Sequence, residues 1–185
     1  MMKLEIEVKF RIDDPDEIAR KLAGLGAKKV GEGFENNLVF DRNGEFEKSG
    51  KLLRLRSHDG KCLITYKQKK PSDRFKYRDE LDLVVADFAR AKMLLEVLGF
   101  GVVHIYEKKR TTFKLRDVEV MIDTVPFLGN FIEIEGTKQG IAATAKKLGF
   151  DMDDTITVTY DKLFRDYCRE KGIGYCDMVF KEGEK

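Results

Sequence analysis

Charged side chains recur two residues apart along this 185-residue chain, in short stretches that an extended strand would place on one face. Glu5, Glu7 and Lys9 come first, then Arg54 and Arg56, then Lys67 with the polar Thr65 two residues before it. Lys76, Arg78, Glu80 and Asp82 share one register, Lys108 and Arg110 another, and Asp123 precedes Glu133 and Glu135. Guanidinium and ammonium groups hold phosphate oxygens, arginine in a two-pronged fork. Carboxylates hold hard divalent cations such as Mg²⁺ or Mn²⁺. A sheet curled into a barrel with these faces inward would enclose a charged lumen. Its converging charges need partners, and a polyanion carrying a divalent metal supplies them. An open antiparallel sheet with the same faces turned to water satisfies the alternation equally.

The elements that must position these residues follow from the apolar pattern. Leu4, Ile6, Val8 and Phe10 interleave with Glu5, Glu7, Lys9 and Arg11; Leu53 and Leu55 with Arg54 and Arg56; Val118, Val120 and Ile122 with Glu119, Met121 and Asp123; Ile132 and Ile134 with Glu133 and Glu135. Further strands are predicted at Asn37–Asp41, Lys61–Lys67, Lys76–Val84, Val102–Lys109 and Arg110–Leu115, with hairpin turns at Asn43-Gly44 and Asp59-Gly60. Four helices are predicted. The first opens at Asp14-Pro15 and ends near Gly24 or Gly26, the second runs from about Asp87 to Leu98, the third from Ile141 to Leu148, and the fourth from Thr159 to about Lys171. Three of them leave through Leu-Gly, at Leu25-Gly26, Leu98-Gly99 and Leu148-Gly149. This fits either an internal repeat or the ordinary capping of helices by glycine. The class is α+β, dominated by an antiparallel sheet of eight or nine strands.

Composition bounds the rest. The length suits one domain, read as residues 1–180, with a short charged tail at 181–185. Three cysteines, Cys62, Cys168 and Cys176, have no metal-like spacing, which excludes a disulfide scaffold or zinc ribbon and fits a reducing compartment. No apolar run reaches the ~20 residues of a membrane span and no signal-like segment opens the chain, so a cytoplasmic protein without membrane partners is expected. The 35 basic and 33 acidic residues nearly balance, which argues against a nucleic-acid partner. Lys (23) and Glu (16) dominate while Gln occurs only at 68 and 139, a balance that fits a protein from a hot environment or an ordinary well-solvated surface.

Glu5-Ile6-Glu7-Val8-Lys9 resembles the Glu-x-Glu-x-Lys signature of the CYTH superfamily, the triphosphate tunnel metalloenzymes, which includes class IV adenylyl cyclases and thiamine triphosphatases. Other pieces follow in that family's order. Arg54-Leu55-Arg56 is similar to its Arg-x-Arg, Thr65-Tyr66-Lys67 to its single-lysine strand, and Lys108-Lys109-Arg110 to its Lys-x-Arg. Asp123 in Ile122-Asp123-Thr124-Val125, then Glu133-Ile134-Glu135, complete the acidic part, and Thr159-Tyr160 resembles the Ser-Tyr pair that opens the last helix. The resemblance runs from residue 5 to about 165. It implies a tunnel barrel of about eight antiparallel strands with helices packed outside. It assigns Lys9, Arg54, Arg56, Lys67, Lys108 and Arg110 to phosphate, and Glu5, Glu7, Asp123, Glu133 and Glu135 to Mg²⁺ or Mn²⁺. Glu5, Glu7, Lys9 and Arg56 are its catalytic candidates. Arg78 and Glu80 either join the lumen or form an exposed ion pair.

Class IV cyclases typically carry a His-Phe pair just before the Glu-x-Glu-x-Lys motif, and here only Met1 to Leu4 precede Glu5. The resemblance therefore ranks hydrolysis of a triphosphate first, whether inorganic triphosphate, a nucleoside triphosphate or thiamine triphosphate. Cyclisation of ATP to cyclic AMP and pyrophosphate ranks second, and a non-catalytic module binding polyphosphate or an RNA 5′-triphosphate third. A small-molecule triphosphate is the expected partner, and a homodimer is admitted. His58 is read as a turn residue, His104 as a strand histidine, Cys168 and Cys176 as plain small side chains. Phe34, Phe40 and Phe46 are read as outer-core packing, and Lys69-Lys70 as a solvated loop.

Overall fold

In the computed structural model, which describes residues 2–184, eight strands close into one antiparallel barrel. Met1 of the domain reading and Lys185 of the tail lie outside the described residues. The strands are β1 (Lys3–Ile12), β2 (Lys28–Asp41), β3 (Lys51–His58), β4 (Lys61–Lys69), β5 (Lys76–Val85), β6 (Gly101–Leu115), β7 (Val118–Val125) and β8 (Gly129–Glu135). Around the barrel the order is β1-β5-β4-β3-β2-β6-β7-β8, and β8 returns to β1 through pairs such as Lys9 with Glu133. Closure leaves no open sheet edge. It also decides which face is enclosed: Glu5, Glu7 and Lys9 line the interior, while Val8, Phe10 and Ile12 belong to an apolar shell outside.

Five α-helices cover that shell: α1 (Pro15–Gly24), α2 (Glu45–Lys48), α3 (Phe88–Val97), α4 (Lys138–Leu148) and α5 (Tyr160–Lys171). Ile18 and Leu22 of α1, with Ile141, Ala145 and Leu148 of α4, pack on Val8, Phe10, Val120, Ile132 and Ile134. Ala91 and Leu95 of α3 meet Leu38, Phe40, Leu53 and Leu55. Phe164 and Cys168 of α5 meet Val125, Leu128, Phe131 and Met178. Each fully buried side chain of this kind contributes about 1.5–3 kcal/mol. Buried ion pairs gain little net energy after desolvation. The outer shell therefore carries the stability, and the charged interior is left to function.

The structure differs from the sequence reading at several elements. β2 begins at Lys28 rather than Asn37. Its first residues contain Gly31, Gly33 and three charges, which hide the alternation. The two strands read at 102–109 and 110–115 are one fifteen-residue strand, β6, which bridges from β2 to β7. α2 and a 3₁₀ turn at Met152–Asp154 were not expected, since neither is long enough to show a helical period. α4 opens one turn earlier, at Thr137, whose hydroxyl accepts from Gly140 N. The three Leu-Gly exits hold Gly26, Gly99 and Gly149 at φ 82°, 87° and 90°. Left-handed caps of this kind explain their recurrence without a repeat. Beyond α5 the chain returns along β6, with Met178 N donating to Ile105 O and Glu107 N to Met178 O, each at 2.9 Å. No helix among the described residues is long and apolar enough to cross a membrane.

α5 is the element that brings a side chain from outside the sheet into the lumen, through Tyr160. Its N-cap is Thr159, whose hydroxyl accepts from Lys162 N. Thr159→Ala is expected to cost about 1 kcal/mol, seen as a lower denaturant midpoint at unchanged m-value. An unchanged midpoint would show that packing alone holds the helix start.

Candidate active site

The barrel encloses a cavity of about 590 Å³. Every residue that the sequence placed in the site lines it or contacts its walls. Where β6, β7 and β8 adjoin, the side chains interlock. Arg110 donates from Nε and Nη2 to the two oxygens of Asp123, each at 2.6 Å, and also reaches Glu133. Lys108 Nζ lies 3.2 Å from Asp123 Oδ2, and Tyr160 donates its hydroxyl to the same oxygen at 2.9 Å. Asp123 is fully buried, so four donor contacts hold its carboxylate. Lys9 Nζ sits 3.1 Å from Glu133 Oε1 and 3.8 Å above the Tyr160 ring.

Across the lumen, Lys67 Nζ lies 2.6 Å from Glu5 Oε1 and 3.0 Å from Glu80 Oε1. Lys76 is paired with Glu7. Arg54 donates from Nη1 to the Tyr106 hydroxyl at 2.9 Å and from Nη2 to Thr65 Oγ1 at 3.4 Å, and Thr65 in turn donates to Asp82 at 2.6 Å. Arg56 donates to Glu35 at 3.3 Å. Glu135 stands apart from this network, toward the rim, bound to the exposed Lys3 at 2.8 Å. Glu80 and Arg78 both line the cavity, which settles the choice left open for them. Cations and carboxylates thus interleave within the lumen, paired with one another.

Several polar atoms inside this network are buried with no hydrogen-bond partner. Arg54 Nε and Arg56 Nε are donors; Glu5 Oε2 and Glu35 Oε2 are acceptors. An unmet buried group costs about 1–3 kcal/mol, more when charged, and such atoms mark where a ligand completes the site. Among the described residues no three carboxylate, histidine or cysteine groups converge as a ready metal site. The carboxylates are held by Lys67, Lys76, Lys9 and Arg110 instead, so a bound cation would take the place of these ammonium and guanidinium partners. The donors themselves are hard oxygens, which suits Mg²⁺ or Mn²⁺.

Burial and neighbours shift the charges in a readable way. Burial pushes Glu133 up, but Lys9, Arg110 and Lys108 outweigh it and hold the carboxyl well below its usual range. Glu7 is lowered similarly, burial being offset by Lys76. Glu35 is lowered by Lys108, Arg110 and Arg56 against its burial. Glu5 moves the other way, raised by burial and by Glu7 despite Lys67. Burial and Asp123 push the Tyr160 phenol well up, so it remains a hydrogen donor. A lowered carboxyl contributes stability that is present above its unfolded pKa, near 4.5, and is lost as the pH falls toward its folded value. Glu5 has the opposite sign. With Glu7, Glu35 and Glu133 against Glu5, the denaturant midpoint is expected to hold between pH 7 and 5 and drop below about 4.5. A midpoint rising in acid would contradict the paired state of these carboxylates.

The sequence reading missed Glu35 and Tyr106, and it set Lys76 on the charged face without giving it a role. Glu35 could have been found by extending the 37–41 alternation backward, since it lies two residues before Asn37 on the same strand. Lys76 shared the register of Arg78 and Glu80. Tyr106 lies two residues before Lys108. His58 ends β3 at the turn, and His104 is a buried strand histidine, as expected. Phe40 is buried in the outer core and Phe46 packs against it. Phe34 meets Phe180 in a tilted ring contact, with centroids 5.9 Å apart. Lys70 pairs with Asp79 at the surface, while Lys69 reaches the cavity lining.

Comparison with known proteins adds relatives to this geometry. The family model described as CYTH domain matches residues 3–160. The chain is 29% identical over 174 residues to "Putative adenylate cyclase MJ0240" of Methanocaldococcus jannaschii, covering 92% of this chain and 99% of that protein. The PH1012 protein of Pyrococcus horikoshii OT3 is 34% identical with a TM-score of 0.74, covering 84% of this chain and 96% of that one. A structure of Hippeastrum "Putative adenylyl cyclase HpAC1", described as revealing a dominant triphosphatase activity, is 19% identical with a TM-score of 0.64, covering 92% and 97%. At that identity the last likeness establishes the fold alone.

Proposed function

The chain belongs to the CYTH domain family, and on that premise we propose that it hydrolyses a triphosphate in its tunnel with the help of a divalent cation. The observation that carries this is the pair of orphaned guanidinium donors, Arg54 Nε and Arg56 Nε, buried inside a closed lumen among Lys9, Lys67, Lys108 and Arg110. A row of phosphoryl oxygens satisfies such donors, and four to five charges on the ligand answer the cations. The naming of family relatives as adenylate cyclase and triphosphatase is consistent with triphosphate as the shared substrate class.

In this reading Arg54, Arg56, Lys67, Lys108 and Arg110 bind and align the phosphate chain, with Lys9 at its edge beside Tyr160. Asp123 and Tyr160 fix the direction of Arg110. Glu5, Glu7 and Glu133 are the oxygen donors for Mg²⁺ or Mn²⁺, with Glu135 at the rim. Asp123 would reach the cation only by giving up some of its present donors. The bound cation would neutralise charge on the phosphoryl oxygens. The enclosed walls keep bulk water away, so the protein's fixed charges act on the reacting phosphorus at low dielectric. These residues serve attack by water and attack by a ribose hydroxyl alike.

Phosphorus NMR separates the two. The protein, with Mg²⁺ or Mn²⁺, is incubated in turn with inorganic triphosphate, ATP and thiamine triphosphate, warmed as well as at ambient temperature. Orthophosphate release is the expected result. Cyclic AMP with pyrophosphate would replace hydrolysis by cyclisation. Tight triphosphate binding without turnover would make the chain a binding module.

A further inference from the structure

Glu35 sits among the cations that would grip the phosphate chain, where a carboxylate opposes the task. It comes from β2, directly across from Lys108 of β6, and only 2% of its side chain is exposed. Arg56 Nη1 lies 3.3 Å from Oε1, Lys108 Nζ 3.4 Å from Oε2, and Arg110 Nε 3.9 Å from Oε1. Oε2 has no hydrogen-bond partner although it is buried. Charge-assisted bonds between committed partners are about 2.7–2.9 Å. Arg110 makes such contacts with Asp123, at 2.6 Å. The contacts to Glu35 are longer throughout. It therefore neutralises three cations while holding only Arg56 by a hydrogen bond, a long one of 3.3 Å.

We infer that Glu35 is a resident anion that sets how much ligand charge the lumen demands, and so discriminates a triphosphate from pyrophosphate and orthophosphate. The inference rests on the triphosphate reading above. A ligand entering near Arg56 and Lys108 meets the Glu35 carboxylate at close range in a medium of reduced dielectric, where like charges repel strongly. A short phosphate gains few cation contacts to offset that repulsion. A triphosphate spans onward to Arg54, Lys67 and Lys9, and those further contacts outweigh it. The same repulsion speeds departure of the shorter products. Glu35 thus acts as a specificity residue through the cations it faces, not as a catalytic residue.

Isothermal titration of the full chain with orthophosphate, pyrophosphate and inorganic triphosphate, without metal and at fixed salt, tests this. Glu35→Gln is expected to tighten orthophosphate and pyrophosphate about tenfold or more and triphosphate clearly less, so that the discrimination ratio falls. Glu35→Asp, which keeps the charge, is expected to retain the ratio. Glu35→Ala opens space for a small carboxylate. Added formate should restore its discrimination, a rescue that a purely structural role would not show, and one available even if the Gln variant melts early. Turnover should show the matching split, with lower KM and lower kcat in Glu35→Gln as product leaves more slowly. Equal effects on all three ligands, or weaker binding throughout, would overturn the assignment. Absence of triphosphate binding by the unsubstituted protein would instead remove the underlying reading, and this proposal with it.

Discussion

Glu7→Gln is expected to lower metal-dependent turnover of a triphosphate by about 10²–10³-fold, the scale of losing one preorganised charge at the reacting centre, without weakening metal-free triphosphate binding. Glu7 is 6% exposed and holds Lys76 inside the lumen. Its lowered pKa keeps it ionised near neutrality and available as an oxygen donor. The Gln side chain keeps the shape and loses the charge. Lys76 then has one counter-charge fewer, which raises the positive potential seen by a phosphate and should hold or tighten its binding. Turnover and affinity therefore move apart, which simple unfolding would not produce. The check is single-turnover orthophosphate release with Mg²⁺ beside calorimetry without it. Full turnover in a folded variant would remove Glu7 from the cation site.

Much of this was legible before any fold was known, for a physical reason. The alternation sorts the charges onto one face of each strand, and closure of the barrel then turns that face inward. Val8 and Phe10 must be dry while Glu7 and Lys9 face the other way, and a strand cannot slip by one residue without exchanging those faces. Arg54, Arg56, Lys108, Arg110, Glu133 and Glu135 were visible for that reason. Helix ends were visible where chemistry marks them, as at Asp14-Pro15 and Gly149. What stayed hidden depends on partners distant in sequence. Glu35 looks like an ordinary surface glutamate until Lys108, 73 residues later, is laid against it. Lys76 looks like part of an exposed ladder until Glu7 closes on it from β1. The interleaving of cations with carboxylates is a consequence of register between strands, and register is not written in any single strand. The residues Gly31 and Gly33 show the converse: two missing side chains were enough to conceal nine residues of β2.

Arg110→Met is expected to destabilise the protein by about 3–5 kcal/mol, the cost of leaving buried charges without their partner. Arg110 holds Asp123 in both of its oxygens and Glu133 beside it, with Asp123 wholly buried. Methionine fills a similar volume but answers neither carboxylate. Lys108 and Tyr160 still reach Asp123, which keeps the loss toward the lower part of that range. If desolvation is the cause, replacing both partners should cost much less than replacing one. The double variant Arg110→Met with Asp123→Leu is therefore expected to recover a large part of the lost stability, by a coupling of about 1–3 kcal/mol. Its activity should not return, because the guanidinium fork aimed into the lumen is gone in both. Denaturant unfolding of the two single variants and the double variant measures the coupling directly. A double variant as unstable as the sum of its parts would show that Arg110 and Asp123 act independently. In that case the interlocked pair would be no more than two neighbours, and Asp123 would have to be reassigned from orienting Arg110 to holding the cation alone.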